Sequence, residues 1–342
     1  MRILSSCLAL WVLFAACPAR ADELDFWPAG GVVPANFAQV ECCEPIVTMS
    51  DCGCGSSGSG SCGECDGCCT GCWWENTELF VGGDAYAGLG DFPAGGFGNS
   101  FGLVTGFNSG FALFGPGIRG QFGVSYGVYD FSGRGSGLDP ESLEEQVFAT
   151  TGLYRRADLC AGERISWGLV VDGFVADNWG VDSNELALAQ LRGIAGYAVN
   201  DCNEFGVWAT MALSEDTTPI TGLGTPALRA MNQGNIYWKH NWAFGADTML
   251  YAGALDNADV DDWVFGFLGR APLSHSASLY GGFNYVNPPI ANSPLGDALD
   301  AWNVNFGIVF FLGGKAVSPN VAGNQGLPLL PVANNGSFLI TD

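Results

Sequence analysis

The sequence predicts an all-β fold: an antiparallel transmembrane β-barrel of about twelve strands behind a Cys-rich, irregular leader. Three observations carry that expectation. From Trp73 onward, segments of about ten residues alternate between apolar and small or polar side chains; Trp302, Val304, Phe306, Ile308 and Phe310 share one parity, and Asn303, Asn305 and Gly307 the other. Successive strand side chains point to opposite sides, so such a segment has one face of each kind. The connections between segments also alternate, tight and then long, which is the plan of an outer-membrane barrel. Finally, the chain is apolar without long apolar runs: 48% of its 342 residues are hydrophobic, only 14% are charged, and 51 are glycine. A helical span needs roughly 18 or more apolar residues in succession, and nothing after the first twenty-one residues supplies them.

The same composition excludes other classes. Twelve Lys and Arg stand against 35 Asp and Glu, a formal net charge of −23. No basic patch can be assembled from them, so nucleic acid is not an expected partner. With 23 Phe, 11 Trp and 9 Tyr, the chain is too aromatic to be disordered throughout.

Residues 1–21 read as a signal peptide. Arg2 precedes an apolar stretch from Ile3 to Ala16, and Ala19-Arg20-Ala21 puts small residues where a peptidase needs them. The competing reading is lipidation of Cys17, against which Phe14 stands where a smaller aliphatic residue is usual. Residues 22–72 form a Gly- and Ser-rich linker holding nine cysteines between Cys42 and Cys72, among them Cys62-x-x-Cys65-x-x-Cys68. That spacing suits thiolate metal sites. In an exported chain oxidation competes, and disulfides are the preferred state. Nine is odd, so one thiol is left to pair with another chain, and disulfide-linked envelope proteins are expected partners of this segment.

Residues 73–313 carry twelve candidate strands, near 79–89, 101–112, 118–131, 145–155, 164–175, 188–199, 204–214, 231–240, 242–254, 262–271, 276–287 and 301–312. Tight connections follow the second, fourth, sixth, eighth and tenth. The longer ones carry much of the acid and are expected to make an acidic outer mouth that attracts cations. Trp73, Trp74, Trp167, Trp208, Trp238, Trp242, Trp263 and Trp302 fall mainly towards strand ends, where interfacial girdles sit. A soluble secreted β-sandwich is the rival fold. It would normally protect its edges with many lysines, and this chain has only Lys239 and Lys315. Beyond the last strand an irregular tail, 314–342, continues to Asp342; either it is periplasmic or the twelfth strand is not the last.

The second face of the strands supplies the candidate site. Asp84, Arg119, Gln121, Arg164, Asp172, Gln190, Arg192, Asn235, Asp247, Arg270, Asn284, Asn303 and Asn305 are the pore-lining candidates. Charges facing a channel set its selectivity, and the same charges in a filled barrel would form paired networks. Outer-membrane lipid and small polar solutes are therefore the expected partners, with passive passage as the expected function. A non-conducting envelope protein, anchored by its barrel and cross-linked through its leader, is the alternative. No enzyme activity and no cofactor are expected, because His240 and His275 both fall in short turns away from any candidate Ser nucleophile. The acidic loop with Asp256, Asp259 and Asp261 is a weak calcium candidate that lacks the Gly and terminal Glu of a dedicated loop. Cys160 and Cys202 fall in adjacent turns of one rim and are the expected disulfide pair.

Several strings, Gly120 to Phe131, Thr151 to Arg156, Gln190 to Gly193 and Cys202 to Trp208, resemble an uncharacterised planctomycetal family of exported outer-membrane barrel proteins of unknown function. The resemblance covers roughly residues 73–313. It implies the fold and the outer membrane as location, and no activity or binding residues. Cleavage after Ala21 would remove Arg2 and Arg20 and take the formal charge from −23 to −25. N-terminal sequencing of the exported protein is expected to begin at Asp22; a chain beginning at Cys17 with a blocked amine would show lipidation instead.

Overall fold

The computed structural model describes residues 73–88, 99–114, 117–130, 143–180, 182–219, 224–255, 263–287 and 301–341. The signal peptide, the Cys-rich leader, the calcium candidate Asp256, Asp259 and Asp261, and most of the expected acidic loops lie outside the described residues.

A single 3-10 turn, Trp73–Asn76, leads into β1 (Thr77–Ala87), β2 (Ser100–Phe114), β3 (Ile118–Tyr129), β4 (Glu144–Arg155), β5 (Ile165–Trp179), β6 (Asn184–Ala198) and β7 (Asn203–Ala212). Two short strands follow, β8 (Glu215–Thr217) and β9 (Ala227–Ala230). Then come β10 (Gln233–Asn241), β11 (Asp247–Leu255), β12 (Trp263–Pro272), β13 (Ala277–Asn287), β14 (Ala301–Phe311) and the two-residue β15 (Ile340–Thr341). Twelve strands close into one barrel in the order β1-β14-β13-β12-β11-β10-β7-β6-β5-β4-β3-β2. Closure is antiparallel, from Glu78 opposite Phe311 to Ala87 opposite Trp302.

These are the twelve strands that the alternation predicts. The largest shift is at β11, which starts at Asp247 rather than residue 242, because Trp242–Ala246 form a turn. Its amides close on Ala246 and Trp242 carbonyls, and Gly245 sits at φ 83°, where a side chain would be strained. The rest, β8, β9 and β15, are too short to show a period and form a small sheet of their own, β15-β9-β8.

Parity decides what each strand shows to the outside. Leu79, Val81, Phe205, Val207, Met211, Phe306 and Phe310 are exposed, and Ile236 retains 69% of its surface. On the opposite parity Gln121, Asp172 and Gln190 are fully buried. An apolar exterior around a polar interior is the inverse of a soluble sandwich, and it removes that rival. The same parity corrects one expectation about the girdle: Trp208 shares a face with Glu204 and Thr210, is buried, and meets Tyr251 edge-on at 5.2 Å.

The inward glycines do not widen the lumen. They receive aromatic rings from neighbouring strands. A Cβ at Gly196 or Gly206 would run into Tyr237, one at Gly266 into Tyr251, and one at Gly82 into Tyr280. Rings thus lie flat along the wall and fill space that two adjacent side chains would otherwise compete for.

Ile236→Arg places a charge on the outward face of β10. It is expected to destabilise the barrel in a bilayer by about 2–4 kcal/mol if this position sits at mid-depth. Urea unfolding in liposomes reads this; a change within about 0.5 kcal/mol would place Ile236 in water.

Candidate functional site

The lumen is occupied by the chain's own C-terminal tail. After β14 the chain turns back at one rim, the rim of the short connections. There Lys315 donates to Asn76 Oδ1 at 2.6 Å, Ser318 N to Gly245 O at 3.0 Å, and Val321 N to Asp201 O at 2.8 Å. Partial burial draws the Lys315 ammonium below its ordinary range, with Glu75 opposing the shift. The tail leaves the lumen at the opposite rim, where Met231 N donates to Leu339 O at 2.7 Å and β15 pairs with β9. The irregular tail is therefore neither periplasmic nor a continuation of the wall. It threads the barrel from end to end.

Its sequence explains why it does not become a thirteenth strand. Pro319, Pro328 and Pro331 lack the N–H that a ladder needs. What the tail offers instead is a row of carbonyl oxygens, and the inward side chains offer donors. Arg156 donates to the carbonyls of Ala322 (2.7 Å), Leu327 (2.9 Å) and Pro328. Tyr154 donates to Gly326 O at 2.9 Å. Asn108 and Gln121 both donate to Leu330 O, at 2.9 and 3.0 Å, and Arg192 donates to Pro331 O at 2.7 Å. Further along, Asn284 reaches Gly336 O at 2.7 Å and Gln190 reaches Ser337 O at 3.1 Å.

Asn335 forms the densest node. Its amide donates to Asp84 Oδ2 (3.0 Å), Tyr129 Oη (3.1 Å) and Gln146 Oε1 (2.9 Å). Asp84 also accepts from Tyr129 (2.7 Å) and Asn303 (2.6 Å), and Asn305 donates to Asn303 at 3.0 Å. Apolar contacts reinforce both ends: Phe338 packs on Phe174 and Phe148, and Leu327 lies in a cluster with Val309 and Phe311.

Two charged groups complete the interior. Asp172 takes Arg192 (2.9 Å), Thr150 (2.7 Å) and Gln190 (2.9 Å), all buried. Nearer the short-turn rim Arg270 bridges Asp247 at 3.0 Å and Glu78 at 3.2 Å. From Gly326 to Ala333 the tail exchanges hydrogen bonds with groups on and beside β2, β3, β4 and β6, and a cavity of about 300 Å³ remains between that stretch and the surrounding wall, β10–β13 among it.

Of the candidates named from sequence, Asp84, Gln121, Asp172, Gln190, Arg192, Asn235, Asp247, Arg270, Asn284, Asn303 and Asn305 all face this interior; Asn235 donates to Gln233 at 3.2 Å. Most are spent on the tail or on one another and do not line an open pore. Arg119 is half-buried at the short-turn end of β3, opposite Tyr154. Arg164 does not face the lumen. It precedes β5, is exposed, and donates to the carbonyls of Ala198 (3.0 Å) and Val199 (2.8 Å), because the wall ends before the parity that placed it inside can apply.

Cys160 and Cys202 lie in the two neighbouring short turns from which their pairing is expected. Cys160 lies in the turn closed by the Asp158–Glu163 bridge, and the Cys202 carbonyl accepts from Asn241 N at 2.8 Å. His240 is the penultimate residue of β10 rather than part of a turn, 2.9 Å from Asn203 Oδ1, with Trp238 tilted beside it and Trp242 edge-on. Sequence reasoning missed Tyr129, Gln146, Thr150, Arg156 and the tail itself. One signal was present: from Ala316 to Thr341 the chain carries no charge, which is unusual for a solvated tail of this length.

Residues 76–340 match the DUF6666 family, a family of unknown function, and the chain belongs to it. Among curated proteins none matches the chain. Three solved structures of similar shape are a membrane protein from a study of in-meso crystallisation (10% identity, TM-score 0.41, covering 77% of this chain and 98% of that one), the NanC porin (8%, 0.40, 68% and 98%), and outer membrane phospholipase A from Escherichia coli (10%, 0.39, 68% and 95%).

Asn335→Leu removes a buried donor from three acceptors and is expected to destabilise the refolded barrel by about 1–3 kcal/mol. Asn335→Asp adds repulsion from Asp84 and is expected to cost more. Thermal unfolding in detergent ranks the two; equal stability of both with the parent would remove Asn335 from the network.

Proposed function

We propose that this member of a family of unknown function is an outer-membrane barrel closed by its own C-terminal tail, and that it passes small polar solutes only when the tail leaves the lumen. The observation that carries the reading is the tail itself: residues 315–341 run through the lumen and meet side chains from both walls along the way. The membrane setting rests on the apolar outer face and on closure, which leaves no strand edge unpaired in lipid. The lumen residues read from sequence then act as the seat of the plug. They tune passage once the seat is empty.

The plug equally favours a second reading, the anchored envelope protein that never conducts and joins its neighbours through cysteines of the 42–72 segment. The two part on one experiment. In planar bilayers the full chain is expected to be silent or to flicker rarely, while a chain ending at Gly314 is expected to show steady unitary conductance. A full chain as conductive as the truncated one would overturn closure by the tail, and a silent, correctly inserted truncation would favour the anchor. Should the truncated chain fail to insert, Asn335→Asp in the full chain serves instead, with more frequent openings expected.

A further inference from the structure

We propose that the cavity beside the tail is a binding site for a small amphipathic monocarboxylate, its carboxylate held by Lys239 and its apolar body lying along Met249, Tyr251 and Leu268. The inference does not depend on whether the tail moves. It rests on the polar groups that share the cavity and on what each already holds.

Glu78 and Asp247 are both taken by Arg270. Glu204 accepts from Tyr237 at 2.7 Å and from Ser166 at 3.3 Å. Arg156 spends its guanidinium on three tail carbonyls. Among the charged side chains that line the cavity, Lys239 is the exception; of the neutral groups, Trp208 Nε1 and Asn108 Oδ1 are also unpaired among the described residues. Lys239 lines the same cavity and is part-buried, with Asp247, Glu204, Arg156 and Arg270 as the charges around it, yet none of the described residues accepts a hydrogen bond from it. Register places it opposite Glu204, whose oxygens are already engaged.

An ammonium has three N–H donors and no acceptor capacity. Partly withdrawn from bulk water, it gains most from an ionised acceptor brought to it. The remaining capacity of the cavity is therefore for an acceptor, preferably anionic. The wall beyond Lys239 fixes the rest of the ligand. On β11 and β12 the inward positions are Met249, Tyr251 and Leu268, and Tyr280 of β13 continues them. A fully hydrophilic anion would leave that wall unsolvated, and a neutral hydrocarbon would leave Lys239 unmet. At about 300 Å³ the space is at the lower end of small-ligand sites, which suits one short acid and excludes a two-chain lipid.

The full chain in nanodiscs, dialysed against radiolabelled 4-phenylbutyrate with empty nanodiscs subtracted, tests this. Saturable binding of one molecule per barrel is expected, with 4-phenyl-1-butanol weaker by about tenfold or more, the effect of one charge-assisted hydrogen bond. Lys239→Gln should weaken the acid by about as much and leave the alcohol unchanged. Leu268→Trp, which fills the cavity and spares the charge, should abolish binding of both. Arg164→Gln, at the rim, should change neither. Absence of saturable binding, equal affinity for acid and alcohol, an unaffected Lys239→Gln, or a Leu268→Trp chain that binds normally would each overturn the site. If Lys239→Gln does not fold, the acid-against-alcohol comparison on the parent chain and the Leu268→Trp chain decide the matter.

Discussion

The rest of the structure depends on the pairing of inward side-chain donors with carbonyl oxygens of the C-terminal tail. A closed sheet satisfies its own backbone, but its inward polar side chains still need partners, and an unmet buried donor or acceptor costs about 1–3 kcal/mol. Here Asn108, Gln121, Tyr154, Arg156, Arg192 and Asn284 all turn to tail carbonyls. The tail is equally dependent on the wall, since three prolines deny it a regular ladder and its carbonyls would otherwise be buried without donors. Barrel and tail therefore complete one another, and neither polar inventory closes alone.

The asymmetry of that pairing shapes the interior. Along its middle stretch the tail is held on the β2–β6 side, and the opposite side is lined by rings laid over glycines. Tyr237 and Tyr251 occupy room that paired side chains would have filled, so the space left beside the tail is mostly apolar, with a cluster of charges at one end. Three cations and three carboxylates meet at that end, Arg156, Lys239 and Arg270 with Glu78, Glu204 and Asp247. Their balance keeps the interior free of a strong single-signed field even though the chain carries −23 overall.

Much of the wall was legible because a strand reports its own orientation. A period of two over ten residues separates faces, and for Gln121, Asp172, Gln190 and Asn303 the parity assigned from neighbours is the parity observed. The failures are instructive in the same terms. Arg164 sits one residue outside β5, where parity has no meaning. Trp208 was grouped with girdle residues by its type, although its neighbours Val207 and Ala209 already placed it inside. Strands β8, β9 and β15 are too short to carry a period at all.

The sequence by itself determined the all-β class, the number of barrel strands and the two faces of each, because those follow from local alternation and from the spacing of turn residues. Only the tertiary structure decided what fills the lumen. Many of the contacts that hold the tail are made by its main-chain carbonyls, which every residue possesses, several of them to side chains more than a hundred positions away. No pattern of residue types records such a contact. The uncharged run from Ala316 to Thr341 hinted that the tail is buried, but where it is buried depends on a cavity that exists only once twelve strands have closed around it.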